Sequence, residues 1–268
     1  MLVICCGMLR SGSTLQYQLA VSILEKTGRG SGLGDPRNVD CLELVNATPP
    51  GTMQVLKVHK FKHLGNVEVA IERGQAKCLY TYRDVRDVAV SLMNMRKISF
   101  EELMFRNKEV QQSLDDFQAW TSLDRVLISR YEEMIDDLPQ EVGRIAEHLN
   151  VDLSETEAIV IAENHTLDKQ KQRIQQWQTS GNFNPATHDG KSLLHHNHIN
   201  SGKPQQWSET LTPLQIAYLE SLTRTWLRDR GYSLSQPSYR HFASQLWYSR
   251  YELMRKMERL QHRFQHGI

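Results

Sequence analysis

The chain has 268 residues, 40% of them hydrophobic and 24% charged, with a formal net charge of +1. That length suffices for one large domain or two small ones, and that composition excludes collagenous, disordered and multi-span membrane chains. Near-neutral charge gives no overall bias toward nucleic acid or anionic membrane, so any anion specificity must come from local placement.

The first element is the apolar run Leu2, Val3, Ile4, Cys5, Cys6, which predicts a buried strand and leads directly into Gly7-Met8-Leu9-Arg10-Ser11-Gly12-Ser13-Thr14. A strand opening into a turn rich in glycine and hydroxyls, with a helical pattern behind it, shapes a backbone to hold phosphate. The spacing from Gly7 to Gly12 fits a P-loop, yet Ser13 stands where that pattern requires lysine, and the cation is displaced to Arg10. Without that lysine the loop suits a 5′-phosphate better than a triphosphate. The chain's four cysteines are too few for a disulfide framework and fit a reducing compartment. No basic segment precedes the first apolar stretch and no run reaches transmembrane length, so a cytoplasmic protein is expected.

Leu15 to Lys26 carries apolar residues at helical spacing and stops at Gly28. Gly28 to Asp40, rich in glycine and containing Pro36, reads as a flexible loop; it follows a helix rather than a strand, which argues against a second nucleotide loop. Met53 to Val58 and Lys77 to Tyr82 read as core strands, each followed by helical patterning, at Gly65 to Arg73 and at Val85 to Met95. A fourth apolar run, Arg125 to Ser129, precedes a helical segment from Leu138 to Leu149. This alternation predicts an α/β fold with a central parallel sheet flanked by helices, in which ligands bind at the carboxyl ends of the strands. Beyond residue 150 the chain is polar and helical, with a surface loop from Ser180 to Lys203. Thr212-Pro213 then caps a helix reaching Arg230, and Pro237-Ser238 opens a last helical stretch to Phe264.

The strand exits carry Arg10, then Lys57-Val58-His59, then Tyr82-Arg83-Asp84-Val85-Arg86-Asp87-Val88-Ala89-Val90-Ser91. An arginine fork closing a strand and a hydroxyl two helical turns later can grip a phosphate, so Arg83 and Ser91 imply a ligand with phosphates at two separate places.

These residues resemble the sulfotransferase family that uses 3′-phosphoadenosine 5′-phosphosulfate (PAPS), with its P-loop-like α/β fold. Arg10-Ser11-Gly12-Ser13-Thr14 is similar to the family's 5′-phosphosulfate loop, and Arg83 with Asp87-Val88-Ala89-Val90-Ser91 to its 3′-phosphate motif. Lys57-Val58-His59 is similar to the Lys-Thr-His element that supplies the catalytic histidine, and Arg130-Tyr131-Glu132-Glu133 to an Arg-Tyr-Glu-Asp element whose tyrosine lies near the adenine. Arg10 and Leu15 stand where cytosolic small-molecule members have lysine and tryptophan, so adenine stacking from position 15 is lost, and the Arg10 variant brings to mind the bacterial and carbohydrate-directed branches. Asn200-Ser201-Gly202-Lys203 with Trp207 looks like the counterpart of a late Arg-Lys-Gly element, so Gly202 and Lys203 are assigned to the 3′-phosphate.

The resemblance implies transfer of a sulfuryl group from PAPS to an acceptor hydroxyl, on a carbohydrate or another small molecule, leaving adenosine 3′,5′-bisphosphate. His59 is the expected base, Lys57 and Arg10 the cations on the leaving phosphate, and Ser13, Thr14 and the loop amides, Leu15 included, the 5′-phosphate cradle. The scheme requires no metal and no nucleic acid. The rivals are a P-loop kinase or hydrolase, for which the lysine is missing, and a non-catalytic nucleotide-binding module. The His195-His196-Asn197-His198 tract, with His188 and Asp189 nearby, lacks the cysteine or carboxylate spacing of a metal site. Residues 1–235 are expected to form the sulfotransferase domain. Residues 236–268 are expected to form an amphipathic helix packing on the domain or on a second subunit, with membrane-surface contact as the alternative.

Overall fold

A computed structural model describes residues 1–179, 183–184, 189, 192–195 and 202–266. The chain divides into two units, residues 1–83 with 111–202, and residues 84–110 with 203–268. In chain order the elements begin with β1 (Leu2–Gly7), α1 (Ser13–Lys26), β2 (Gly30–Gly34), β3 (Val39–Asp40), α2 (Cys41–Ala47), β4 (Met53–Lys57), β5 (Leu64–Gly65), α3 (Val67–Glu72) and β6 (Ala76–Tyr82). They continue with α4 (Val85–Arg96), α5 (Phe100–Glu102), α6 (Glu109–Thr121), β7 (Val126–Arg130), α7 (Tyr131–Asp136), α8 (Leu138–Leu149), α9 (Glu155–Glu163) and α10 (Leu167–Thr179). Last come α11 (Trp207–Thr210), α12 (Pro213–Asp229) and α13 (Ser238–His266).

The first unit holds a parallel five-stranded sheet of order β2-β4-β1-β6-β7. All six residues of β1 are buried because it is the middle strand, covered on both faces, and its apolar run is therefore unbroken. One face packs on α1, α8 and α9 through Val3, Cys5, Leu19, Ile23, Ile145 and Ile161. On the other, Tyr80 meets Phe117 of α6 edge-on at 5.5 Å. The chain passes from β4 to β6 across β1, so the strand order switches direction at β1, where open α/β sheets place their ligands.

The segment expected to be a flexible loop instead supplies an edge strand, β2, paired with β4. Its glycines are a packing requirement: a Cβ on Gly30 would lie 2.0 Å from the Met53 carbonyl oxygen, and one on Gly32 2.2 Å from the Tyr17 hydroxyl. Glycine has poor strand propensity, so only this close approach explains the choice. The bounds of α8 follow from local chemistry, with the Asp137 carboxylate accepting from the Gln140 N–H, Pro139 in the first turn and Asn150 ending it at φ +57°. All four cysteines are free and buried, and burial pushes the Cys5 and Cys6 thiols well above their ordinary range.

The second unit is helical. Asp84 caps α4 and Thr212 caps α12 in a reciprocal box with Gln215, Pro213 following at the first helical position. Arg86 lies buried, its guanidinium bridging Asp84 and Glu220 at 2.7 Å each. Tyr248 of α13 packs on Tyr218 of α12 with ring centroids 4.2 Å apart. His188, His196, His198, Asn200 and Ser201 lie outside the described residues. No described helix is long and apolar enough to cross a membrane.

Candidate active site

The turn between β1 and α1 is built on β6. Gly7 pairs with Thr81, and a Cβ on Gly7 would lie 2.3 Å from the Thr81 Oγ1. The Met8 N–H donates to the Thr81 carbonyl at 3.0 Å. The Ser11 hydroxyl, fully buried, lies 2.7 Å from the Met8 carbonyl oxygen and 2.9 Å from that of Thr81. Ser11, expected to touch the ligand, thus directs its side chain into the sheet and shapes the loop. Gly12 adopts φ +91°, and a Cβ there would come within 2.8 Å of the Tyr131 ring and the Met134 methyl. That conformation and that proximity both call for glycine.

The first intrahelical bond of α1 runs from the Gln16 N–H to the Gly12 carbonyl, so the amides of Ser13, Thr14 and Leu15 precede the helix's own ladder. No acidic residue occupies the first turn, leaving the positive end of the helix dipole to attract an anion. The Leu15 side chain packs against the hydrophobic core, so its amide is what it offers to a ligand. Arg10 is held at φ +68° beside Arg83, and burial together with that second guanidinium brings its pKa down to about 10. Arg83 stacks over the Tyr131 ring at 4.5 Å, and the Tyr131 hydroxyl donates to the Gly202 carbonyl at 2.9 Å. Arg10, Gly12, Arg83, Tyr131 and Gly202, spread over almost two hundred positions of sequence, share one end of the sheet.

At the exit of β4 the sequence-predicted pair is in contact. The His59 Nδ1–H donates to the Gly7 carbonyl at 3.0 Å, which fixes the tautomer and leaves Nε2 as acceptor; the Lys57 ammonium donates to that Nε2 at 3.0 Å. Burial first, and the Lys57 charge second, bring the His59 pKa down to about 3, with Arg10 and Arg37 adding to the effect. Burial also lowers the pKa of Lys57, opposed by Asp35 at the end of β2. The Trp120 indole N–H donates to the His59 carbonyl at 3.2 Å and anchors the backbone there.

In the second unit Ser91 is half-buried in the second turn of α4, and Lys203 is exposed. Two residues of the sequence motif have functions that spacing did not reveal. The Asp87 carboxylate accepts from the N–H groups of Gln205 and Trp207, at 2.8 and 3.2 Å, pinning the backbone that follows Lys203. Arg86 stacks on the Trp207 ring at 3.9 Å. Both lie inside the Arg83 to Ser91 motif, which was the available signal; their partners lie more than a hundred residues away. Among the described residues no cluster of three or more His, Cys, Asp or Glu could hold a metal ion.

A family model for the sulfotransferase domain matches residues 2–231. Among solved structures, retinol dehydratase in complex with retinol and PAP is similar at a TM-score of 0.58 and 20% identity, covering 88% of this chain and 83% of that one. Mouse sulfotransferase SULT7A1 complexed with PAP is similar at a TM-score of 0.60 and 17% identity, with 85% and 83% covered. No curated protein sequence matches.

Proposed function

This chain belongs to the sulfotransferase domain family, and from that premise we propose that it transfers a sulfuryl group from PAPS to an acceptor hydroxyl with His59 as base. PAPS and its product PAP, adenosine 3′,5′-bisphosphate, carry negative charge at two separated places. The residues present suit such a ligand: the Arg83 guanidinium beside Arg10 disfavours the Arg10 charge, which an anion relieves, and the start of α1 bears no carboxylate to repel it. Arg10 with the amides and hydroxyls of Ser13 and Thr14 takes the 5′-phosphate end. Arg83, Ser91, Gly202 and Lys203 are assigned to the 3′-phosphate and Tyr131 to the adenine side.

The observation that carries the reading is His59 held from both ring nitrogens, by Gly7 of the phosphate loop and by Lys57. With Nδ1 protonated and tied to a carbonyl, Nε2 is the only position from which His59 can accept a proton. That lone pair is engaged by Lys57 and the imidazole is neutral. Lys57 is then positioned to exchange one acceptor for another, leaving Nε2 for the bridging oxygen of a departing phosphate. That exchange also lessens the positive field on His59 and raises its basicity as the acceptor hydroxyl arrives. The acceptor oxygen bonds to sulfur as the sulfur–oxygen bond to the 5′-phosphate breaks. His59 receives the hydroxyl proton, while Lys57 and Arg10 stabilise the charge left on the phosphate.

Thermal shift with adenosine 3′,5′-bisphosphate, compared with ATP plus Mg²⁺, tests the nucleotide assignment. Stabilisation by ATP alone overturns it in favour of a P-loop kinase or hydrolase. His59→Ala is expected to abolish transfer while keeping affinity for the bisphosphate, and turnover retained in that variant removes His59 from the role of base.

A further inference from the structure

The helix α13 has two faces of different character. His241, Ser244 and Tyr248 are buried, His241 bonded through Nε2 to Glu220 at 2.9 Å and Tyr248 packed against the Tyr218 ring. Away from that seam, Phe242, Leu246, Trp247, Leu253, Met254 and Met257 are all exposed, Phe242 at 66% and Leu253 at 60%. Residues 253–257 are exposed on every side of the helix. Large apolar side chains gathered at this density on one element mark a surface that meets something.

Charge decides what. The helix carries six Arg and Lys against two Glu, whereas the rest of the chain carries 26 against 29. The basic surplus of the molecule is therefore concentrated on the element with the exposed apolar stripe. Arg250 stands within the stripe, four residues after Leu246 and four before Met254, and is exposed. A second copy of α13 laid on this face would desolvate Arg250 against another cationic helix, and Glu252 is already bonded to Lys256 at 3.0 Å. At a bilayer surface the same arginine extends its stem along the apolar face and keeps its head at the phosphate level. Trp247 and Tyr251, stacked at 5.7 Å, are the amphipathic aromatics that favour this depth.

We propose that α13 is a membrane-surface helix that docks this protein on anionic lipid bilayers through the Phe242 to Met257 stripe. The proposal is independent of the sulfotransferase reading, since none of these residues belongs to the nucleotide or base machinery.

Co-sedimentation of the full chain with vesicles tests it, comparing phosphatidylcholine alone with phosphatidylcholine containing about 30% phosphatidylglycerol. The protein is expected to pellet with the anionic vesicles at least about tenfold more strongly than with the neutral ones, and less so as salt rises. Leu246→Glu/Leu253→Glu is expected to lose that binding, as is Arg250→Glu/Lys256→Glu, which leaves the apolar residues in place. All four positions are exposed, so both variants keep the thermal unfolding profile of the parent, which separates lost docking from lost folding. A blue shift of tryptophan emission on anionic vesicles, absent in Trp247→Phe, reports insertion of the stripe itself. Equal pelleting with both vesicle types, no pelleting with either, or a concentration-dependent dimer abolished by Leu253→Glu in place of lipid binding overturns the proposal.

Discussion

Replacing Lys57 with methionine should return basicity to His59, and the size of the effect follows from one distance. The Lys57 Nζ lies 3.0 Å from the His59 Nε2. Burial is the larger cause of the fall from 6.5 to about 3, so a lysine charge at that distance accounts for roughly one to two of those pH units. Burial remains in the variant, so the midpoint should move from about 3 to about 4–5 and stop short of 6.5. The sign of the stability effect is fixed by the same shift. Between pH 6.5 and about 3 the unfolded chain binds a proton that folded His59 refuses. The His59 contribution to stability is thus complete above pH 6.5 and is lost as the pH falls toward 3, and in the variant the loss ends at about pH 4–5. NMR of the histidine Cε1–H resonances across pH reads both midpoints, with His59→Gln identifying the signal among eleven histidines. A wild-type His59 that titrates near 6.5, or a Lys57→Met midpoint that does not move, refutes the reasoning.

Arg86→Met should remove a charge partner shared by the carboxylates of Asp84 and Glu220, both nearly inaccessible to water, leaving Glu220 its bonds to Ser235, Gln236 and His241, and lower stability by about 3–5 kcal/mol. Urea denaturation measures it, and a change below about 1 kcal/mol, the scale of an exposed pair, contradicts the buried-network reading. Gly12→Ala should force a side chain into φ +91° against Tyr131, costing about 1–2 kcal/mol of loop conformation and weakening adenosine 3′,5′-bisphosphate binding about tenfold by titration calorimetry. Unchanged affinity in that variant removes the loop from the phosphate site.

What the sequence could disclose was set by the range of the interactions involved. The strand β1, the cap of α12 and the whole of α8 are specified by residues within a few positions of one another, and their positions were readable. Arg10, Lys57, His59 and Arg83 were readable because parallel strands deliver their exits to one edge of a sheet. The strand β2 was not, since its glycines make sense only against Met53 and Tyr17. Ser11 was placed in the phosphate loop by its motif, and the inward direction of its side chain depends on Thr81, seventy residues away. The helix α2 is too short for a period to show, and α6 was passed over although Val110, Leu114, Phe117 and Trp120 stand at helical spacing. The contributions of Asp87 to Gln205 and of Arg86 to Glu220 are likewise set by pairings that no local pattern records.

The four cysteines, each sealed in the interior, give the molecule a property of practical use. An alkylating or disulfide reagent in water meets no thiolate on the folded protein, and the burial that raises the Cys5 thiol keeps it inert even if reagent reaches it. A single engineered surface cysteine, at Leu253 for instance, would be the one address a dye or spin label can find. Labelling chemistry would then follow the last helix without first stripping the native thiols from the chain.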